Sequence, residues 1–283
     1  MAGGLSGLTL AVIGAGRIGQ SIVRAARGCV ARVVATGRRR ETLEAVERLG
    51  AEATRDNRLA AREADVVVVS VKPHHFAAVA GELRGAVGGK VVASVVAGVR
   101  LATIRKALPG ALAHRAMPNI NALIARSTTA LALSDGESRP PGWEVVEALF
   151  GCLGSVYWIP EEWMDTWTAL VGSGPAFLAE IVDALVLGAV SMGMPRDLAY
   201  RALLDAVKAT AEHLERRPTH PLQLRDEVTT PAGTTIHGLM RLESEGVKAG
   251  LMKVIEASTR RGRELGALID SAVRRSIESS RPG

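Results

Sequence analysis

Leu8-Thr9-Leu10-Ala11-Val12-Ile13-Gly14-Ala15-Gly16-Arg17-Ile18-Gly19 decides the architecture of the first half of the chain. The run from Leu8 to Ile13 is short and apolar, as a buried strand is, and Ile18 to Ala26 is apolar at helical spacing. Between them lie Gly14, Gly16 and Gly19. A strand that passes through a glycine turn directly into a helix presents the free N–H groups of the helix start to an anion. Gly14 permits the tight turn, Gly16 lets a ligand approach the backbone, and Gly19 lets helix and strand pack closely.

Further along, Ala31 to Ala35 predicts a second strand, and Glu41 to Leu49 an amphipathic helix that stops at Gly50. Asp65-Val66-Val67-Val68-Val69-Ser70 and Lys90-Val91-Val92-Ala93-Ser94-Val95-Val96 are continuous runs without alternation, which predicts strands covered on both faces. Weaker strands are expected at Ala111 to Arg115, Thr128 to Leu133 and Val156 to Ile159. Strands alternating with helices give an α/β fold, a Rossmann-type doubly wound, mostly parallel sheet over residues 1–160.

A glycine turn in that setting is the phosphate site of a dinucleotide, with Gly14, Gly16, Arg17, Ile18 and Gly19 around the pyrophosphate. An NAD site places a carboxylate after the second strand, whereas here Thr36-Gly37-Arg38-Arg39-Arg40 follows, with no acid before Glu41. The forks of Arg38 and Arg39 and the hydroxyl of Thr36 suit a 2′-phosphate, so NADPH is expected, with NADH the weaker alternative. Three more loops follow strands and so lie at the same sheet edge: Val71-Lys72-Pro73, Ala97-Gly98 and Met117-Pro118-Asn119. Lys72 reads equally as a cation for the cofactor and as a surface lysine.

The chain has 283 residues, enough for two domains, and its 47% hydrophobic and 23% charged residues exclude a disordered chain. Its net charge of +6 comes from dispersed arginines without interleaved aromatics, so no nucleic-acid partner is expected, and an anionic cofactor explains the sign. The two cysteines, Cys29 and Cys152, form no ligand pattern and are expected to be reduced, buried thiols. The six histidines are adjacent or scattered, without HxxxH or HExxH, so no metal is expected. Met1 to Gly7 does not read as a secretory leader, and the most apolar stretch, Ala176 to Met194, carries Glu180 and Asp183. A cytoplasmic protein without a membrane partner is therefore expected.

From residue 161 to 283 the strand signals stop, and an all-helical dimerisation and substrate domain is expected. Helices are predicted at Glu161–Val171, Ala176–Met192, Arg196–Glu215, Thr235–Glu245 and Val247–Leu265. Phe177 to Leu187 is apolar almost all round, which asks for cover from a second subunit. In Thr230-Pro231-Ala232-Gly233-Thr234-Thr235, Thr230 reads as the N-cap and Pro231 as the first helical residue. Backbone N–H groups near Gly233 and the hydroxyls of Thr230, Thr234 and Thr235 would then receive a carboxylate or phosphate, although a capped helix without a ligand reads the same way.

Together with Asn57, Val71-Lys72-Pro73-His74, Met117-Pro118-Asn119, Gly172-Ser173-Gly174-Pro175, Met192-Gly193-Met194-Pro195 and His220-Pro221, these residues resemble the pyrroline-5-carboxylate reductase family from Leu8 to Gly266. The resemblance implies reduction of the C=N bond of 1-pyrroline-5-carboxylate to L-proline, the last step of proline biosynthesis. It implies NADPH contacts from Asn57, Val71, Lys72 and Ala97. It also implies substrate contacts from Thr234 and Thr235, with Thr230 beside them, Glu161 near the pocket, and Thr235 as the catalytic hydrogen-bonding group. Homodimers, assembled further into decamers, are implied as well. The chain departs from the family at Ala232, where glycine is usual and where a helical position would accept the methyl, at Ile120-Asn121 in place of Thr-Pro, and at Val171 in place of serine. Two alternatives stay open: reduction of another cyclic imine, such as a piperideine carboxylate, and a non-catalytic NADPH-binding regulator. A β-hydroxyacid dehydrogenase would need a lysine after the linker, and none occurs between Lys106 and Lys208.

Overall fold

Strands that are apolar on both faces need two covering layers, and the chain builds both. The computed structural model describes residues 4–134, 136, 138–217 and 220–279. Eight strands, β1 (Thr9–Ile13), β2 (Arg32–Thr36), β3 (Glu52–Thr54), β4 (Val66–Val69), β5 (Val91–Ser94), β6 (Leu112–Met117), β7 (Ser127–Leu133) and β8 (Gly154–Pro160), form one sheet. Their order is β3-β2-β1-β4-β5-β6-β7-β8, parallel throughout except for the antiparallel pair β6–β7. All four residues of β4 and all four of β5 are buried, as their unbroken apolar runs require. The order turns back between β1 and β4, which is where a doubly wound sheet opens a crevice for a ligand.

Helices α1 (Arg17–Ala26), α2 (Arg40–Arg48), α3 (Asn57–Glu63), α4 (Phe76–Leu83), α5 (Leu101–Ala107) and α6 (Trp143–Gly151) supply the cover. Phe76, Leu83 and Ile104 pack with Val67 and Val69 on one face, while Ile22, Val46, Leu149 and Phe150 pack with Val66 and Val68 on the other. Cys29, just after α1, and Cys152, at the end of α6, pack against this second layer and are joined in a disulfide. The expectation of two reduced thiols is thereby corrected. Proximity on one sheet face, invisible at a separation of 123 residues, pairs them.

The remaining helices are α7 (Met164–Trp167), which runs into a π-helical turn at Thr168–Gly172, then α8 (Gly174–Ser191), α9 (Arg196–Arg216), α10 (Pro221–Glu227), α11 (Thr234–Ser244) and α12 (Val247–Ser279). The chain divides into two compact units, Met1–Ser173 with Ser258–Gly283, and Gly174–Ala257. Residues 161–173 belong to the first of these units, and so does the second part of α12. This helix does not stop at Leu265 but continues to Ser279, burying Val273 and Ile277 in the core around Phe76 and Ile104.

In the second unit α8 packs on α9. Among its described residues only Gly174, Val186 and Ala199 are buried. Leu178, Leu185 and Leu187 on α8 are about half or more exposed. The helical stretch Glu161–Ser191 is long and apolar enough to cross a membrane by length and composition alone. Its Glu180 and Asp183 remain, and Asp183 is paired with Arg196 at 2.8 Å.

Candidate active site

The glycine turn is built from behind. Gly14 has φ +91°, and a Cβ there would lie 2.6 Å from Val71 Cγ1 and 3.0 Å from the Ser70 carbonyl oxygen. Ala15 N donates to the Thr36 carbonyl at 2.7 Å, and Gly14 N to the Thr36 hydroxyl at 2.9 Å. Thr36 is 2% exposed, so its hydroxyl holds the turn in shape and does not face a ligand as the sequence suggested. Gly16 is exposed with open space where a side chain would be, and it caps α1 without a side-chain bond or an acid in the first turn. An open glycine at an uncapped helix start fits a pyrophosphate.

Beside it, Arg38 and Arg39 stand exposed after β2, and Lys72 is exposed after β4. The Arg38 guanidinium lies 2.7 Å from Nε2 of His75, a residue that the sequence reading did not place in the site. Asn57 opens α3 and donates to Glu82 at 2.7 Å, lining a groove of about 760 Å³ with Arg55, Arg58 and Gly81. Ala97 is exposed, but Gly98 (φ +77°) is required by packing: a Cβ there would meet Ile269 Cδ1 at 3.0 Å and Gly266 Cα at 3.3 Å. Asn119 is 6% exposed, and its side chain caps the turn Ile120–Ile124 and donates to the Val171 carbonyl at 3.2 Å. Met117 and Pro73 are half-buried.

Glu161 is held by a buried arginine and by the start of α5. One carboxylate oxygen accepts from Arg115 at 2.9 Å and from Leu101 N, the first residue of α5, at 2.6 Å. Arg115 is 5% exposed, so the pair is largely desolvated. Asp270 of α12 takes the neighbouring amide, Arg100 N, at 3.0 Å and pairs with Arg274 at 2.8 Å. Two carboxylates thus satisfy the orphan amides at the start of α5 and favour its positive end. Sequence reasoning missed Arg115 and Asp270 because their partners are 46 and 170 residues away.

In the second unit the threonine turn departs from its expected form. The helix begins at Thr234 with Gly233 as N-cap, not at Pro231 with Thr230 as cap. Ala232 lies outside the helix at φ +56°, in the left-handed region, so the expectation that its methyl sits at a helical position is also corrected. Gly233 N donates to the Thr230 carbonyl at 3.1 Å, closing a turn that needs the left-handed residue. A Cβ at Gly233 would collide with the Thr230 hydroxyl, which fixes glycine at that place. No side chain caps α11, which leaves its first amides beside the hydroxyls of exposed Thr230 and Thr234 and half-buried Thr235.

Residues 161–265 match the family model for pyrroline-5-carboxylate reductase dimerisation, and residues 9–98 match that for NADP oxidoreductase, coenzyme F420-dependent. A pyrroline-5-carboxylate reductase of Thermus thermophilus is 39% identical over 264 residues, 92% of this chain and 99% of the relative. The chain belongs to the pyrroline-5-carboxylate reductase family. A second member, from Synechocystis, is 37% identical over 75% of this chain and 79% of its own. The structure of a pyrroline-5-carboxylate reductase from Coxiella burnetii superposes with a TM-score of 0.82 at 30% identity, over 90% of this chain and 97% of that one. The helical unit is thus the dimerisation part of a family member, and a homo-oligomer accounts for the exposed leucines of α8.

Proposed function

We propose that the protein transfers a hydride from NAD(P)H to the C=N bond of 1-pyrroline-5-carboxylate, giving L-proline in the last step of proline biosynthesis. The protein is an oxidoreductase of C=N bonds, and the observation that carries this is the 39% identity to a pyrroline-5-carboxylate reductase over 92% of this chain and 99% of that one. Arg38 and the lack of an acid after β2 favour NADPH over NADH.

A bound nicotinamide supplies the hydride. This chain's residues bind and orient. The turn at Gly14 and Gly16, with Arg17, Ile18 and Gly19, holds the pyrophosphate, and Thr36 supports that turn. Arg38 and Arg39 take the 2′-phosphate, while Asn57, Val71, Lys72, Pro73, Ala97, Met117 and Asn119 line the rest of the cofactor site, with Gly98 shaping its loop. The amides of Gly233 and Thr234, with the hydroxyls of Thr230, Thr234 and Thr235, hold the substrate carboxylate. Thr235 hydrogen-bonds the carboxylate or the imine nitrogen, whose proton comes from solvent. An imine is easily protonated and its carbon then accepts hydride readily, so alignment contributes more than a strong acid or base. Glu161 acts from behind, by holding the start of α5. The working form is a cytoplasmic homodimer, assembled into a decamer.

The test is NADPH oxidation by the purified protein, with pyrroline-5-carboxylate and its six-membered homologue run side by side. Preference for the five-membered ring is expected. Turnover of neither, with NADPH still bound, would sink the reading. Thr235→Ala should lower kcat/KM by roughly 10- to 100-fold, the worth of a hydrogen bond to a charged group. Full activity in that variant would remove the role given to Thr235.

A further inference from the structure

The contact between Arg38 and His75 is unusual because both side chains are bases. Arg38 lies in the loop after β2, and His75 ends the 3-10 turn Pro73–His75 after β4. Their separation of 2.7 Å is a hydrogen-bond distance. A guanidinium has only donors, so Nε2 of His75 must be the acceptor and must be unprotonated. The charges acting on the ring are Arg38 from the neighbouring loop and Lys72 and His74 from its own, the His74 ring at 4.0 Å. On α4, which continues the chain from His75, the carboxylate of Glu82 is taken by Asn57. Partial burial of the ring, followed by the charges of Arg38, His74 and Lys72, pulls its pKa below the ordinary histidine value. β2 and β4 flank β1, so the two loops stand on either side of the glycine turn.

We propose that His75 is a specificity-determining part of the 2′-phosphate site, switching from acceptor for Arg38 in the free protein to proton-bearing donor when the phosphate binds. The phosphate takes over the Arg38 N–H, and Nε2, released from accepting it, gains a proton from solvent and donates it to a phosphate oxygen. One proton is taken up for each 2′-phosphate bound, and none for a nucleotide without it. A dianion among Arg38, Lys72 and His75 supplies the negative charge that makes the protonated ring favourable. This inference rests on the reading of Arg38 as the ligand of the 2′-phosphate.

Calorimetry with adenosine 2′,5′-bisphosphate and adenosine 5′-monophosphate, in buffers of different ionisation enthalpy near pH 7, tests it without turnover. Net proton uptake is expected with the bisphosphate alone. The phosphate's own second pKa of about 6 cannot mimic this, because a phosphate bound as the dianion releases protons. His75→Gln should abolish the uptake and weaken the bisphosphate about tenfold, the equivalent of one pKa unit, with the monophosphate unchanged. In the wild-type protein the His75 ring resonances should report a raised pKa when the bisphosphate is added. No uptake, the same uptake in His75→Gln, or a ring pKa that does not move would each overturn the proposal. An unchanged ratio of the two affinities in Arg38→Ala would instead overturn the reading of Arg38. Loss of that ratio with no change in the ring would leave Arg38 in place and remove His75.

Discussion

The turn at Gly14 and the turn at Thr230 each lead into an uncapped helix, yet they are held in opposite ways. The first is braced by the buried Thr36 hydroxyl and by Ser70 and Val71, and the residue with positive φ is a glycine. The second lies in a unit with three buried described residues, and its positive φ is carried by Ala232. A site braced by its own sheet needs nothing outside the chain to keep its shape. A site on helices without a core depends on what covers those helices, and the match to a dimerisation family says that a second copy does so.

The sharpest way to break this comparison is to charge the uncovered face. Leu178→Asp with Leu185→Asp, seven residues apart on α8, should dissociate the oligomer. At about 1.5–3 kcal/mol for each buried leucine, the subunit affinity falls by at least roughly a hundredfold. Light scattering should show monomers without reductase activity, while adenosine 2′,5′-bisphosphate still binds. A stable, active oligomer would refute the contrast.

Glu161→Ala strikes the braced unit instead, leaving Arg115 buried without its partner. A loss of about 3 kcal/mol is expected, at the lower end of the range for buried pairs because Glu161 keeps some exposure. Thermal melting would register it as a fall of several degrees. Substrate KM in the surviving enzyme should stay near the wild-type value, whereas a large rise would return Glu161 to the pocket.

Ala232→Gly addresses the exposed turn. Removing a methyl from a left-handed position should stabilise by about 1 kcal/mol, less the extra entropy of glycine in the unfolded chain. Gly14→Ala should do the reverse, since its methyl would strike Val71, and should abolish cofactor binding as measured by NADPH fluorescence. Equal effects from the two substitutions would mean that the turns are held alike.

The smallest effect is one of pH. His114 on β6 is buried, and its Nε2 lies 3.1 Å from the Pro141 carbonyl. Burial holds its pKa below the ordinary value, opposed by that backbone bond and reinforced by Arg105. The unfolded chain therefore binds the proton more readily than the folded one. Stability from this group is present above the ordinary histidine pKa of about 6.5 and is lost as pH falls through the folded value, at no more than about 1.4 kcal/mol per unit. Denaturant titrations from pH 7.5 downward should show the slope, and His114→Gln should flatten it. An identical slope in the variant would place the effect elsewhere.

Most of the first unit was legible because continuous valine runs and a glycine turn are local signals. β3 carries no such signal, since Glu52-Ala53-Thr54 is three residues long with two polar side chains. α10 was hidden by its brevity. The apolar period of α12 weakens after Leu265, yet Val273 and Ile277 go into the core of another part of the chain. Pro231 usually opens a helix and would make Ala232 helical, but the turn closed by Gly233 overrides that preference. The pairing of Cys29 with Cys152 and of Glu161 with Arg115 depends on the folded sheet, and no spacing announces either.

The last turns of α12 bear on how the protein comes off the ribosome. Asp270 accepts from Arg100 N, and Arg274 donates to the Thr103 hydroxyl, pairings separated by 170 and 171 residues. Closing contacts so distant in sequence is slow, because the intervening loop must be ordered before they contribute. The dinucleotide-binding sheet is made first, but one side of its core stays open until residue 277 has been synthesised. During that interval Phe76 and Ile104 lack part of their cover, and the nascent chain presents an apolar face to chaperones.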